Sequence, residues 1–583
     1  MSSIALLIRQ PLLTGFGASL LLGLAACSAS NDEPIVSVPE VAEPKMKQQV
    51  LREEVDAHAS YAAQPSVVTG AQEARKAMPQ SVPMIAPAAP LADSVGFGYQ
   101  DVYREQYQKI ESSPVQAVAQ QPVSTFSIDV DAGAYANVRR FLNDGSLPPK
   151  DAVRLEELVN YFPYAYPKPE GDVPFSVATE LATTPWNPET RLLRVAIKAA
   201  DLSAAELPPA NLVFLVDVSG SMDRREGLPM VQSTLKLLVD QLRPQDRVAL
   251  VTYAGNASVV LESTAGSEKA KIRTAIDQLS AGGSTAGESG IQLAYQEAQK
   301  GLLKGGINRI LLATDGDFNV GISDFETLKQ LAADKRKTGV SLTTLGFGTD
   351  NYNEQLMEQL ADAGDGNYAY IDNLREARKV LVDQLSSTLA VVAKDVKIQV
   401  EFNPAEVSEY RLLGYENRAL KREDFSNDKV DAGEIGAGHT VTALYEVVPV
   451  GTKGWLEPLR YAQVPKQKGE QQQGKAGEIA WLRLRYKAPE GAASKLVERP
   501  ISKGEATPIA KASDDLRFAA AVAAFAQQLR DAKYTGDFSL ADSARLARGA
   551  KGEDPFGLRG EFVQLVELAQ SLQTPQNVQV RAD

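Results

Sequence analysis

The sequence predicts a multidomain protein built around a doubly wound α/β domain, with a mixed flanking domain before it and a β-rich, partly helical domain after it. Three observations predict this. From 211 to about 390, apolar strand-like runs alternate regularly with helical patterns. Before 205 and after 394, that alternation gives way to short strands and isolated amphipathic helices. The chain also has 583 residues, 44% of them hydrophobic and 23% charged, which suffices for about three ordinary domains with sizeable cores.

In chain order, residues 1–26 read as a lipoprotein signal peptide. Arg9 is the only charge ahead of the apolar tract "PLLTGFGASLLLGLAAC", and small residues precede Cys27. Cys27 is the single cysteine, so an intrachain disulfide is excluded. The closing "LAAC" resembles the lipobox of bacterial lipoproteins, which implies cleavage before Cys27 and its acylation. Ser28, rather than an aspartate, follows it, and in that resemblance this points to the outer membrane. Residues 27–95 are rich in Ala, Pro, Ser and Gln, as in "SVPMIAPAAPLADS", and are expected to form a disordered tether.

The first flanking domain is expected at 96–205. It opens with "TFSIDVDAGAYANVRRFLNDGSLPP", a strand and a helix ended by Gly and Pro. "DAVRLEELVNYF" places Val153, Leu155, Leu158, Val159 and Phe162 on one helical face, and "PFSVATELATTPW" and "RLLRVAIKAADL" read as strands. Asp129 and Asp131 would share one strand face, either as a cation pair or as turn-capping carboxylates.

The central domain is expected at 206–393. Its strands are "NLVFLVDVS", "DRVALVTYAG", "NRILLATDG", "GVSLTTLGFG" and "GNYAYIDN". Runs that are apolar throughout and separated by helices imply a parallel sheet covered on both faces. The helices include "GLPMVQSTLKLLVDQL", "EKAKIRTAIDQL" and a final "REARKVLVDQLSSTLAVV". At 394–583, clean alternation in "DVKIQVEF" and further strands in "HTVTALYEVVPV" and "GEIAWLRLRYKAP" predict antiparallel β-structure. Two closing helices carry the stripes Phe518, Val522, Phe525, Leu529 and Phe562, Leu565, Val566, Ala569, expected to be core contacts.

The chemistry gathers at strand ends. Ligands of a doubly wound sheet bind beyond the C-terminal ends of its strands. "DVSGSM" ends the first strand with Asp217, Ser219 and Ser221. "AGGSTAGESG" brings Thr285 from a glycine-rich loop, and "ATDGD" ends another strand with Asp315. Two carboxylates and three hydroxyls, with no thiol or imidazole, suit Mg²⁺ or Mn²⁺ and not Zn²⁺. In that order and spacing, "DVSGSM", "GGST" and "TDGD" resemble a von Willebrand factor type A domain. That resemblance implies a metal-ion-dependent adhesion site formed by Asp217, Ser219, Ser221, Thr285 and Asp315, which takes a carboxylate from a protein partner. The flanks are similar to those of uncharacterised bacterial lipoproteins that surround such a domain on both sides.

Other functions fare worse. The net charge of -13 argues against a nucleic-acid partner. No Walker motif follows "GGSTAG", and no G-x-S-x-G elbow occurs. The two histidines are His58 in the tether and His439, read as a strand-end residue. Asp317 and Glu288 are the only candidates for a base beside the metal, and both suit solvated or capping loop positions. The sequence therefore predicts a non-enzymatic, lipid-anchored binding protein of the bacterial envelope, with a structural scaffold or a metal hydrolase as alternatives.

Overall fold

The computed structural model describes residues 105–573, apart from 129–130, 172, 204, 285–286, 317–324, 350–351, 431, 458, 461–476, 490, 492 and 505–506. The signal peptide, the tether, Cys27, Thr285 and Asp317 lie outside the described residues. Among the described residues, no helix is long and apolar enough to cross a membrane.

The first segment contains strands β1 (Gln116–Ala117) and β2 (Val123–Ser127), helices α1 (Gly133–Asn143) and α2 (Leu155–Asn160), and a long hairpin of β3 (Phe175–Thr184) and β4 (Asn187–Ala199). The central domain follows as β5 (Ala210–Asp217), α3 (Leu228–Gln241), β6 (Arg247–Tyr253), β7 (Ala257–Ala265), α4 (Lys269–Asp277), α5 (Gly287–Lys300), β8 (Ile307–Thr314), α6 (Phe325–Arg336), β9 (Ser341–Gly346), α7 (Glu354–Ala363), β10 (Tyr368–Tyr370), α8 (Leu374–Arg378) and α9 (Leu385–Leu389). The last segment holds β11 (Val391–Phe402), β12 (Val407–Leu413), β13 (Ile435–Gly436), β14 (Thr440–Pro449), β15 (Glu478–Lys487) and β16 (Ser494–Ser502). Helices α10 (Asp514–Arg530), α11 (Leu540–Arg548) and α12 (Leu558–Gln573) complete it.

The central sheet runs β10-β9-β8-β5-β6-β7. All its pairings are parallel except β6 with β7. Side chains of β5 alternate between two cores: Leu212, Phe214 and Val216 on one face, Val213 and Leu215 on the other. Each is fully buried, which contributes about 1.5–3 kcal/mol per side chain and requires helices on both faces. The predicted doubly wound domain is present, with two departures. The antiparallel edge strand β7 carries no continuous apolar run, because its outer positions face solvent. The expected final helix is broken: a π-helical turn at Lys379–Asp383 separates α8 from α9, and Val391 and Val392 already belong to β11.

The flanking segments depart further from the linear division. Strand β4 pairs with β3 on one side and with β14 of the last segment on the other. Strand β2 pairs with β11. The expected domains at 96–205 and 394–583 are thus one composite body, into which the central domain is inserted. Periodicity identifies a strand but not its distant neighbour. One five-stranded sheet, β1-β12-β14-β4-β3, packs against the sheet of β11, β15 and β16 through Val195, Ile197, Tyr445, Ile398, Val400 and Leu484. The outer face of the first sheet is covered by helices. There Leu192, Ala196 and Leu444 meet Leu158 and Phe162 and the Phe518 and Phe562 stripes, which are core contacts as expected. The central domain and the composite body meet across buried charge: Arg139 of α1 holds Asp372 at 2.6 Å, Glu376 at 2.7 Å and Glu561 at 3.0 Å.

Candidate metal centre

Asp217 is the last residue of β5 and is fully buried. Its neighbours in the sheet, β6 and β8, end beside it in Tyr253 and Thr314. The Tyr253 hydroxyl donates to Asp217 Oδ2 at 3.2 Å and the Thr314 hydroxyl donates to the same oxygen at 2.8 Å. The Ser219 backbone N–H donates to Oδ1 at 2.9 Å. These bonds fix the carboxylate in place. Ser219 and Ser221, two residues apart on a turn, bring their hydroxyl oxygens within 3.0 Å of each other. Asp315, buried, follows β8 directly. Burial pushes the Asp217 carboxyl up to about 6; the charge of Asp315 adds to this, and hydrogen bonds from Ser219 oppose it.

The loop ahead of Thr285 is tied to the same edge. Gly220 N–H donates to the Gly283 carbonyl at 3.1 Å, and Gly282 N–H donates to the Val218 carbonyl at 2.7 Å. Gly283 holds a φ of 90°, which a side chain would strain. After Asp315, Gly316 turns with a φ of 81°, and a Cβ there would sit 2.9 Å from the Asn353 backbone nitrogen. Arg224 donates to the Ser221 carbonyl at 2.7 Å and to the Thr349 carbonyl at 2.8 Å, so one guanidinium joins the serine turn to the loop after β9.

The structure thus brings Asp217, Ser219, Ser221 and Asp315 to adjoining strand ends, with the Thr285 loop attached; Thr285 itself is outside the described residues. Sequence reasoning assigned no role to Thr314, Tyr253 and Arg224, which orient the set. Thr314 had a usable signal, since it immediately precedes Asp315 where β8 ends. The set fits a hard divalent cation: two carboxylates are buried, close enough that the charge of Asp315 raises Asp217, hydroxyls adjoin them, and among the described residues no Lys or Arg forms an ion pair with Asp217. Among the described residues no group of three or more His, Cys, Asp and Glu is placed to hold a metal, so the hydroxyls are essential to this reading.

The other candidates do not join the set. Asp131 is buried, accepts the N–H of Tyr368 at the start of β10 at 2.9 Å and faces Arg418 at 3.4 Å, a long-range anchor in place of the expected turn cap; Asp129 lies outside the described residues. Glu288 accepts from Gln292 within the first turn of α5. His439 directly precedes β14, and burial together with the charges of Lys379 and Lys198 pushes its imidazole down to about 4.

Comparison with known proteins agrees with this architecture. The model of the von Willebrand factor type A domain matches residues 211–384, the described α/β domain. A second model, described as von Willebrand factor, matches 101–194, and one described as uncharacterized protein YfbK, C-terminal, matches 387–572. Uncharacterized protein YfbK of Escherichia coli (strain K12) is 52% identical over 470 residues, spanning 79% of this chain and 80% of that protein. The chain belongs to the YfbK family. In this chain the type A match lies between the two flanking matches, and the type A domain supports a protein-interaction role. Uncharacterized protein sll0103 of Synechocystis is 36% identical over 188 residues, 32% of this chain and 43% of its own. A solved structure, von Willebrand factor type A from Catenulispora acidiphila, aligns over 66% of this chain and 88% of its own at 15% identity and a TM-score of 0.38, too loose to bear on function. None of these relatives carries an enzymatic name.

Proposed function

We propose that this chain is a lipid-anchored binding protein of the bacterial cell envelope, whose type A domain holds Mg²⁺ or Mn²⁺ through Asp217, Ser219, Ser221, Thr285 and Asp315 and grips an acidic group on a protein partner.

The observation that carries this reading is the convergence of Asp217, Ser219, Ser221 and Asp315 at the ends of β5 and β8. Asp217 is held in place by Ser219, Thr314 and Tyr253, so little rearrangement is needed to receive a cation. Hydroxyl ligands carry no charge, so a bound cation keeps positive character and attracts a carboxylate from outside. The family's interaction role supports a protein as the source of that carboxylate. Anchoring rests on Cys27 and the small residues before it, and the outer membrane on Ser28.

The test uses Mn²⁺ as the bound ion and water-proton relaxation as the readout. The full chain should enhance relaxation on binding Mn²⁺, and an acidic peptide should lower that enhancement by displacing bound water. A peptide with Gln and Asn in place of its acids should not. Equal behaviour of the two peptides, or an unchanged enhancement in Asp315→Ala, would overturn the reading. Anchoring is checked separately: labelled palmitate should enter the wild-type chain and not Cys27→Ser.

A further inference from the structure

A second surface feature lies on the composite body, with no residue from the central domain in its lining. It is a cleft of about 740 Å³ between the β3–β4 turn, the loop after β14 and the loop between α10 and α11. Trp186, Trp455, Tyr534 and Leu456 supply its apolar surface, and Ser112, Asn187 and Lys533 its polar groups. The volume suits a ligand of several residues.

The aromatic side chains are held from below. Trp455 and Tyr534 meet edge to face, with ring centres 6.2 Å apart. The Arg411 guanidinium lies 4.1 Å from the Tyr534 ring centre and 5.9 Å from that of Trp455. Arg411 is itself fixed by Glu446 at 2.6 Å and Gln527 at 2.8 Å. The Trp186 indole N–H donates to Glu446 at 3.1 Å. The Trp455 backbone N–H donates to Glu409 at 2.8 Å, and Gly454 lets the chain pass that carboxylate, which a Cβ would strike. Rings held in this way lose little freedom on binding.

The remaining hydrogen-bonding capacity is mostly of one kind. Glu446 is engaged by Arg411, Trp186 and Thr190, and Glu409 by the backbone of Trp455 and Leu456. Among the described residues, the lining side-chain groups engaged by no other hydrogen-bonding group are the Trp455 indole N–H, the Lys533 ammonium, the Asn187 amide NH₂ and the Ser112 and Tyr534 hydroxyls. These are donors, or hydroxyls able to donate. A matching ligand offers acceptors and flat apolar faces while needing few acceptors in return. A polyproline II segment does so: proline rings pack on aromatic faces, its carbonyls accept, and proline has no N–H to satisfy. A sugar chain, whose hydroxyls must also donate, matches less well.

We propose that this cleft binds a proline-rich peptide segment in the polyproline II conformation, as a site separate from the candidate metal centre.

The chain has three tryptophans, and two of them line the cleft. A Trp481→Phe background therefore confines the emission to the site. Capped decaproline, added to the full chain, should shift that emission saturably, whereas a capped Gly/Ser peptide of equal length should not. Trp455→Ala should weaken binding about tenfold or more, as expected for a central aromatic anchor. Tyr534→Phe, which keeps the ring and loses only the hydroxyl, should weaken it several-fold and covers the case in which Trp455→Ala fails to fold. No saturable shift, undiminished binding in both variants, or saturation by chitotetraose where decaproline gives none would overturn the proposal.

Discussion

Two regions of this molecule bury more carboxylate than ordinary cores do, and they resolve the charge differently. At the edge of the central sheet, Asp217 and Asp315 sit among hydroxyls and backbone N–H groups. At the joint between the central domain and the composite body, Glu157 of α2 and Glu354 and Glu358 of α7 surround Arg154, with N–O distances of 3.8, 3.8 and 3.6 Å. All four joint residues are almost fully buried. The joint thus supplies its own cation and lies between helices, whereas the sheet edge consists of loop ends beside neutral oxygens. Burial alone does not mark a ligand site. The partners that surround the carboxylates do.

Removing the internal cation should have the largest effect. Arg154→Met removes the guanidinium that faces Glu157 and Glu354, leaving Glu358 to Arg418 at 2.8 Å, and should destabilise the fold by about 3–5 kcal/mol in urea unfolding above pH 8. A loss below about 1 kcal/mol would show that protonation, not Arg154, settles the joint.

The next effect depends on pH. Burial, with Glu358 among the neighbouring charges, pushes the Glu354 carboxyl from 4.5 up to about 8, against the pull of Arg154. A raised folded pKa means that the native state holds a proton which the unfolded chain releases above 4.5. Its contribution is therefore present at low pH and lost as pH rises toward about 8. Relative to Glu354→Gln, the wild type should lose stability across that window in paired melts. Parallel curves would contradict the assignment.

The smallest effect belongs to the sheet edge without metal. Ser219→Ala removes a buried hydroxyl that meets Ser221 and also bonds the Asp217 carboxylate, and should cost about 0.5–1.5 kcal/mol in metal-free buffer. A larger loss would make the serine turn a structural element in its own right.

The contrast also explains what the sequence could disclose. The candidate metal set was legible because its residues lie on short contiguous motifs at strand ends, where sheet topology requires the loops to meet. The central strands were legible because burial on both faces leaves continuous apolar runs. Edge strand β7 was not, since three of its nine positions are exposed and only two are buried. The π-helical turn at Lys379–Asp383 was hidden inside an unbroken apolar period. The composite body was legible element by element but not as a whole, because the pairing of β4 with β14 is a tertiary fact. The joint was least legible: Arg154, Glu157 and Glu354 are ordinary charged residues of amphipathic helices until the two segments close around them.

The most direct test of the account is a thermal melt and calorimetric titration of the full chain with Mg²⁺ and Mn²⁺, beside Asp217→Ala. If the sheet edge holds the cation, stability should rise with metal by about 2.7 kcal/mol at 100 times the dissociation constant, and the variant should show no such rise. Equal stabilisation of both proteins, or no binding heat with the wild type, would contradict the claim that Asp217, Ser219, Ser221, Thr285 and Asp315 form a metal centre.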